Sequence, residues 1–119
     1  MKRMQYDFER LEVYQCAVDF AEAVFKLTEE FPQRVQYSLG DQLRRAALSV
    51  CNNIAEGSGK RGQTKRQFYG YAFDSIRECV PMLELLRRRM LVGQEQYDKL
   101  DESCFRLSSM MYALVASVH

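Results

Sequence analysis

The chain predicts an all-α fold, an antiparallel up-down four-helix bundle, on three observations. Four stretches repeat apolar residues with a 3.6-residue period, none alternates as a half-buried strand would, and the breaks between them are short. With 119 residues, 47% of them hydrophobic and 28% charged, there is chain for one core and no room for a second ordinary domain. Residues 1–119 are therefore read as a single domain.

The first helix is expected from about Asp7 to Glu30, striped by Leu11, Tyr14, Ala17, Val18, Ala21, Val24 and Phe25. Phe31-Pro32 ends it, because a residue before proline is pushed out of the helical region. A second row, Val13, Cys16, Phe20 and Leu27, lies about 120° round the same helix and widens its apolar arc to about 200°. An arc that wide suggests a partner chain, so this row is the expected oligomer interface.

The second helix is expected to start near Ser38, capped with help from Asp41, and to end at Gly57 in a C-terminal cap position. Leu39, Leu43, Ala46, Ala47, Val50 and Ile54 form its stripe. Arg45, Ser49, Asn52 and Glu56 fall on one line, with Asn53 between it and the stripe, a row that can hydrogen-bond a neighbouring helix, close a subunit interface or bind a ligand, the structural roles being favoured. The third helix is expected from Thr64, with Gln67 in the capping-box position, to about Met90, with Phe68, Ala72, Ile76, Cys79, Leu83 and Leu86 inside. Pro81 falls on its polar side, where a proline bends a helix around its core without breaking it. The fourth follows Val92-Gly93 and carries Tyr97, Leu100, Cys104, Leu107, Met111, Leu114, Val115 and Val118.

Chemistry is scarce. The one histidine, His119, stands at the frayed end of the last helix, so no nucleophile has a histidine base in a fixed place. The Glu-x-x-His pattern of di-iron bundles is absent, and neither a metal nor a cofactor is expected. Cys16, Cys51, Cys79 and Cys104 stand 35, 28 and 25 residues apart, one per helix, and read as reduced thiols acting as small hydrophobes. Nothing adjacent marks Cys51 or Cys79 as an activated redox thiol. Residues 1–3 look briefly like a signal n-region, but Asp7, Glu9 and Glu12 follow where an apolar core should begin. No apolar run approaches the ~18 residues of a membrane span, so a cytoplasmic protein without a membrane partner is expected.

Gly57-Ser58-Gly59-Lys60-Arg61-Gly62 matches G-x-G-x-x-G but follows a helix, not a strand, and so is no dinucleotide fingerprint. It reads as a helix end and a hairpin loop. The same loop sits in the basic part of the chain. Residues 33–73 hold seven basic and two acidic side chains, a net +5, whereas residues 1–32 carry −3 and residues 74–119 carry −1. Lys60, Arg61, Lys65 and Arg66 surround the start of the third helix, whose free amides favour an anion, and Arg44 and Arg45 extend the basic set. Phosphates are the obvious ligands, with Phe68, Tyr69 and Tyr71 near enough to offer stacking faces. The plainer alternative is a set of charges that keeps a loop solvated.

Several runs together resemble a known family. They are Phe8-Glu9-Arg10-Leu11-Glu12-Val13-Tyr14, Leu43-Arg44-Arg45-Ala46-Ala47-Leu48-Ser49-Val50, Asn53-Ile54-Ala55-Glu56-Gly57-Ser58-Gly59-Lys60, Phe68, and Ser75-Ile76-Arg77-Glu78. In this order they resemble the four-helix-bundle proteins named after intervening sequences of bacterial 23S ribosomal RNA genes, also labelled S23 ribosomal proteins. The resemblance implies a cytosolic bacterial protein that assembles with itself, as a homopentamer, in a family with no established enzymatic activity. It extends to the accessory protein of diversity-generating retroelements, a pentameric bundle that binds a reverse transcriptase and nucleic acid through a basic surface. Asn53, Glu56, Gly57 and Glu78 belong to the motif without a role it assigns. Asp74, where the family has a small residue before Ser75, Pro81, and the near-neutral total charge depart from the pattern. The leading expectation is a homo-oligomeric bundle that binds RNA or a nucleic-acid-processing protein through its basic loop. A protein-interaction scaffold without nucleic acid is the alternative.

Overall fold

The first expected helix divides in two. In the computed structural model, which describes residues 5–119, a 3-10 turn at Asp7–Arg10 precedes α1, Glu12–Glu29, with Leu11 extended between them. The break is held locally: the Tyr6 amide donates to Glu9 Oε1, Gln15 Nε2 donates to the Glu9 carbonyl, and Phe8 sits edge-on to Tyr14. The basic residues 2 and 3, considered as a signal start, lie outside the described residues.

α1 stops at Glu29, just before Phe31-Pro32 as expected, but the passage into the second helix differs. A helical turn at Gln33–Val35 runs through a π-helical segment at Gln36–Gly40 into α2, Asp41–Ser58, without a break. Ser38 therefore caps nothing; its hydroxyl donates back to the carbonyls of Arg34 and Val35. The wider π turn leaves the Gln36 carbonyl to a side chain, and Arg44 Nη2 donates to it at 2.8 Å.

Gly57 lies inside the last turn of α2 and not in a cap position past its end, and Gly59 is the C-cap. Gly57 is wanted for space, not for a left-handed backbone: a Cβ there would stand 2.7 Å from Cδ1 of Tyr69. After the short hairpin, α3 runs from Gly62 to Arg88, so Thr64 and Gln67 lie inside its first turns and not at a cap. Pro81 stays within α3 on an exposed face, as its angular position predicts. α4 spans Gln94–Ser117.

Each helix packs on two others, α1 between α2 and α4, and α3 between α2 and α4. This is the antiparallel four-helix bundle. Leu43, Ile54, Ile76, Leu83, Leu86, Leu107 and Met111 are its fully buried centre, each stabilising by about 1.5–3 kcal/mol. Arg87 lies over the Tyr97 ring at 5.3 Å at one end of the α3–α4 pair, and Val115 shares a cleft with Arg66 and Gly70 at the other. That antiparallel register brings Val80 level with Phe105, and Phe73 level with Tyr112. The α1–α4 seam is the open one: a cavity of about 670 Å³ lies between Ala23 and Lys26 on α1 and Lys99, Leu100 and Ser103 on α4.

Candidate nucleic-acid interface

The six basic residues singled out in the sequence do not form one cluster. Arg44 is committed inside the fold, bonded to the Gln36 carbonyl with its side chain 20% exposed. Its neighbour Arg45 points outward and pairs with Asp41 at 3.1 Å. Both stand far up α2 from the hairpin, since fifteen residues of helix from Arg45 to Lys60 span about 22 Å.

The other four stay together where α2 turns into α3. Lys60 pairs with Glu56 at 3.3 Å, an exposed pair that contributes little to stability. Lys65 folds back, donating Nζ to the Ser58 carbonyl at 3.3 Å and lying over the Tyr69 ring at 5.2 Å. It thereby satisfies a carbonyl at the end of α2. Arg61 and Arg66 are exposed, and neither side chain has a hydrogen-bond or ion-pair partner among the described residues. They flank the first turn of α3, whose amides lack intrahelical partners. Two free guanidinium groups beside a helix N-terminus can take phosphate oxygens bidentately.

Of the expected stacking rings, Tyr69 is buried beneath Gly57 and unavailable. Phe68 is half-buried, and Tyr71 is 45% exposed with its hydroxyl accepting from Gln67 Nε2. An aromatic ring that the sequence did not single out, Tyr112 on α4, is 70% exposed. Its level beside Phe73 on α3 follows from the α3–α4 register, which single-helix periodicity does not contain.

Among the family-motif residues, Gly57 seats against α3, and Asn53 supports Ser49, which meets α3 at Ser75. Ser49 Oγ and Ser75 Oγ are 2.9 Å apart, and Asn53 Nδ2 donates to both the carbonyl and the hydroxyl of Ser49. The polar line on α2 therefore does bond its neighbour. Glu56 holds Lys60, Gly57 seats Tyr69, and exposed Glu78 borders a small cleft with Arg45, Ser49 and Ser75.

The expected oligomer row requires correction. Val13, Phe20 and Leu27 are 4%, 2% and 2% exposed inside the protomer's own core, and only Cys16 is half-buried. The core line of α1 runs between the two rows drawn from the sequence, because α1 must face both α2 and α4. What α1 leaves exposed instead is Val18 and Phe25, from the stripe assigned to the core.

Cys51, Cys79 and Cys104 are buried, and burial pushes their thiols upward, Cys51 to about 11 and Cys104 to about 12. That is opposite to the shift that activates a thiolate. No group of three His, Cys, Asp or Glu among the described residues is placed to hold a metal. No helix among them is long and apolar enough to cross a membrane.

Residues 9–113 match the model of a family described as 23S rRNA-intervening sequence protein. The fold is similar to the crystal structure of a protein of unknown function from the S23 ribosomal protein family of Bacteroides thetaiotaomicron. The two superpose with a TM-score of 0.81 at 19% sequence identity, over 88% of this chain and 96% of that one. No curated protein matches the chain.

Proposed function

The chain belongs to the 23S rRNA-intervening sequence protein family, and on that footing we propose that it is a non-enzymatic, self-assembling bundle that binds RNA through the α2–α3 hairpin. The observation that carries this reading is the pair Arg61 and Arg66, unpaired and exposed at the start of α3 among the described residues. The rest of the basic set supports it only through Lys60, at the hairpin in an exposed pair with Glu56, since Lys65 is folded back and Arg44 and Arg45 stand far up α2. Affinity for RNA should fall steeply with salt, because each phosphate contact releases counterions. Arg61→Ala with Arg66→Ala should weaken binding and reduce the slope of log affinity against log salt by about 1–2. An unchanged slope in the double variant would rule the hairpin out as the RNA site.

The second reading, a protein-interaction scaffold, is favoured by apolar residues on opposite flanks of the bundle. Val18 and Phe25 lie about 140° round α1 from Cys16, Asp19 and Ala23, which line the groove to α4. On α4, Phe105 lies about 140° from Ser103 and Arg106, which line the same groove, and it comes level with exposed Val80. These flanks replace the Val13–Leu27 row as the surfaces through which copies would join, the homopentamer being the form the family leads one to expect.

A further inference from the structure

Resting on the RNA-binding reading, we infer that the RNA it takes is single-stranded, with a base stacked on Tyr112 over the bare backbone of α3 at Gly70. Three features lie along the same stretch of the α3–α4 pair: a cleft, a glycine in its lining, and a ring one helical turn before the Val115 that lines it. The cleft between the start of α3 and the end of α4, about 510 Å³, is lined by Gln63, Thr64, Arg66, Gln67, Gly70 and Val115. It opens beside the free guanidinium of Arg66.

Gly70 has no structural reason to be glycine. A Cβ there would meet nothing within 4 Å, the backbone is not left-handed, and glycine inside a helix costs about 1 kcal/mol relative to alanine. Gly57, by contrast, is held by the Tyr69 ring. A helix glycine without an internal demand leaves backbone open to something outside, and a flat base needs just such an approach.

Tyr112, one helical turn before the cleft-lining Val115 on α4 and level with Phe73 on α3, supplies the ring. It is 70% exposed and stands in a stretch, Leu107–Val118, without a single charged residue. The nearest stretch of α3 by register, Gly62–Arg77, carries Arg66, unpaired among the described residues, and Arg77 over the Phe73 ring against one carboxylate, Asp74, while Lys65 is turned back to Ser58. Basic side chains interleaved with an exposed aromatic, with amides from Gln63 and Gln67 at the edge, match what single-stranded nucleic acid requires. A duplex keeps its bases stacked inward and offers Tyr112 nothing. Phe105 does not qualify: Asp98, Asp101 and Glu102 share its half of α4 and would repel phosphates.

The test measures anisotropy of a fluorescein-labelled oligouridine against the full chain, with the same charge presented as duplex RNA in competition. Tyr112→Ala should weaken oligouridine binding about tenfold or more, and Tyr112→Phe should keep it, since stacking needs the ring and not the hydroxyl. Gly70→Leu should weaken it similarly while raising the melting temperature by a few degrees, which separates blocked binding from damaged folding. Tyr112→Ala and Gly70→Leu variants that bind like the parent, while the Arg61/Arg66 double variant does not, would overturn this inference and leave the hairpin reading standing. A parent chain that binds no RNA would remove both. Equal competition by duplex would overturn the single-strand assignment. So would a Gly70→Leu variant that changes the mass of the assembly but keeps its RNA affinity, because the cleft would then be a contact between copies.

Discussion

Neighbouring arginines in this chain meet different ends, and the surrounding carbonyls and carboxylates decide which. Arg44 and Arg45 are identical in type and adjacent in sequence, yet one is turned inward to a π-helical carbonyl and the other outward to Asp41. The inward turn depends on Gly40, where a Cβ would come within 3.3 Å of Arg44 Nη1 and 3.4 Å of the Phe31 ring. Met90 shows the same dependence of a residue on its backbone. It closes α3 with φ 61°, its amide bonded to the Arg87 carbonyl and the next amide, Leu91, to the Leu86 carbonyl. That pattern is a Schellman cap, whose left-handed position suits glycine. A side chain there costs about 1–2 kcal/mol, and glycine loses about half of that advantage again through its freer unfolded chain. Met90→Gly should therefore stabilise the protein by about 0.5–1 kcal/mol, read as a higher urea midpoint at unchanged slope. Met90 is 89% exposed, so the variant gives up no packing, and a lowered midpoint would mean that the cap does not limit stability.

At the scale of helices, the α2–α3 pair turns on a single close contact. Tyr69 fills the space a side chain at Gly57 would need, with Phe68 Cβ only 3.1 Å from the same point. Alanine in place of glycine ordinarily strengthens a helix by up to about 1 kcal/mol. Here Gly57→Ala should destabilise by about 1–2 kcal/mol, because displacing a buried ring outweighs the propensity gain. Adding Tyr69→Leu should recover part of the loss, and a double-mutant cycle with no coupling would show that the two residues do not meet. The periodicity of Leu43 to Ile54 and of Ala72 to Leu86 was enough to place these helices, and Pro81 was placed on its exposed side by angle alone. What periodicity could not hold was anything that depends on a second element. The π segment requires Arg44 and Gly40 together, and the Gly57 contact requires Tyr69 from the next helix. The core line of α1 is settled by where α2 and α4 lie, which a single-helix reading of Val13, Phe20 and Leu27 does not contain. The candidate site was half legible for the same reason: Arg61 and Arg66 stood in the basic loop, but the level of Tyr112 along α3 is set only by the fold.

For the whole molecule, the arrangement of exposed apolar residues bears on the symmetry of any assembly. A two-fold contact joins one surface patch to its own copy, whereas a head-to-tail contact joins two different patches and closes into a ring or runs on as a filament. Val18 and Phe25 on α1 point away from the α1–α4 groove on one side, and Phe105 with Val80 points away from it on the other. Two different patches on opposite flanks let each copy meet one neighbour on either side, so the head-to-tail contact is the one to expect. A charge on either patch alone, Val18→Asp or Phe105→Asp, should then reduce the assembly to monomers by light scattering, with helical content unchanged because both positions are exposed. Each variant still carries one intact patch, and these are complementary. Mixing the two should therefore restore a heterodimer, the single junction of Phe105 from the first variant with Val18 from the second, and nothing larger. A two-fold contact between α1 patches would behave differently: Phe105→Asp would leave the dimer intact, and the mixture would gain nothing. A heterodimer from two monomeric variants is an outcome that only the head-to-tail contact produces.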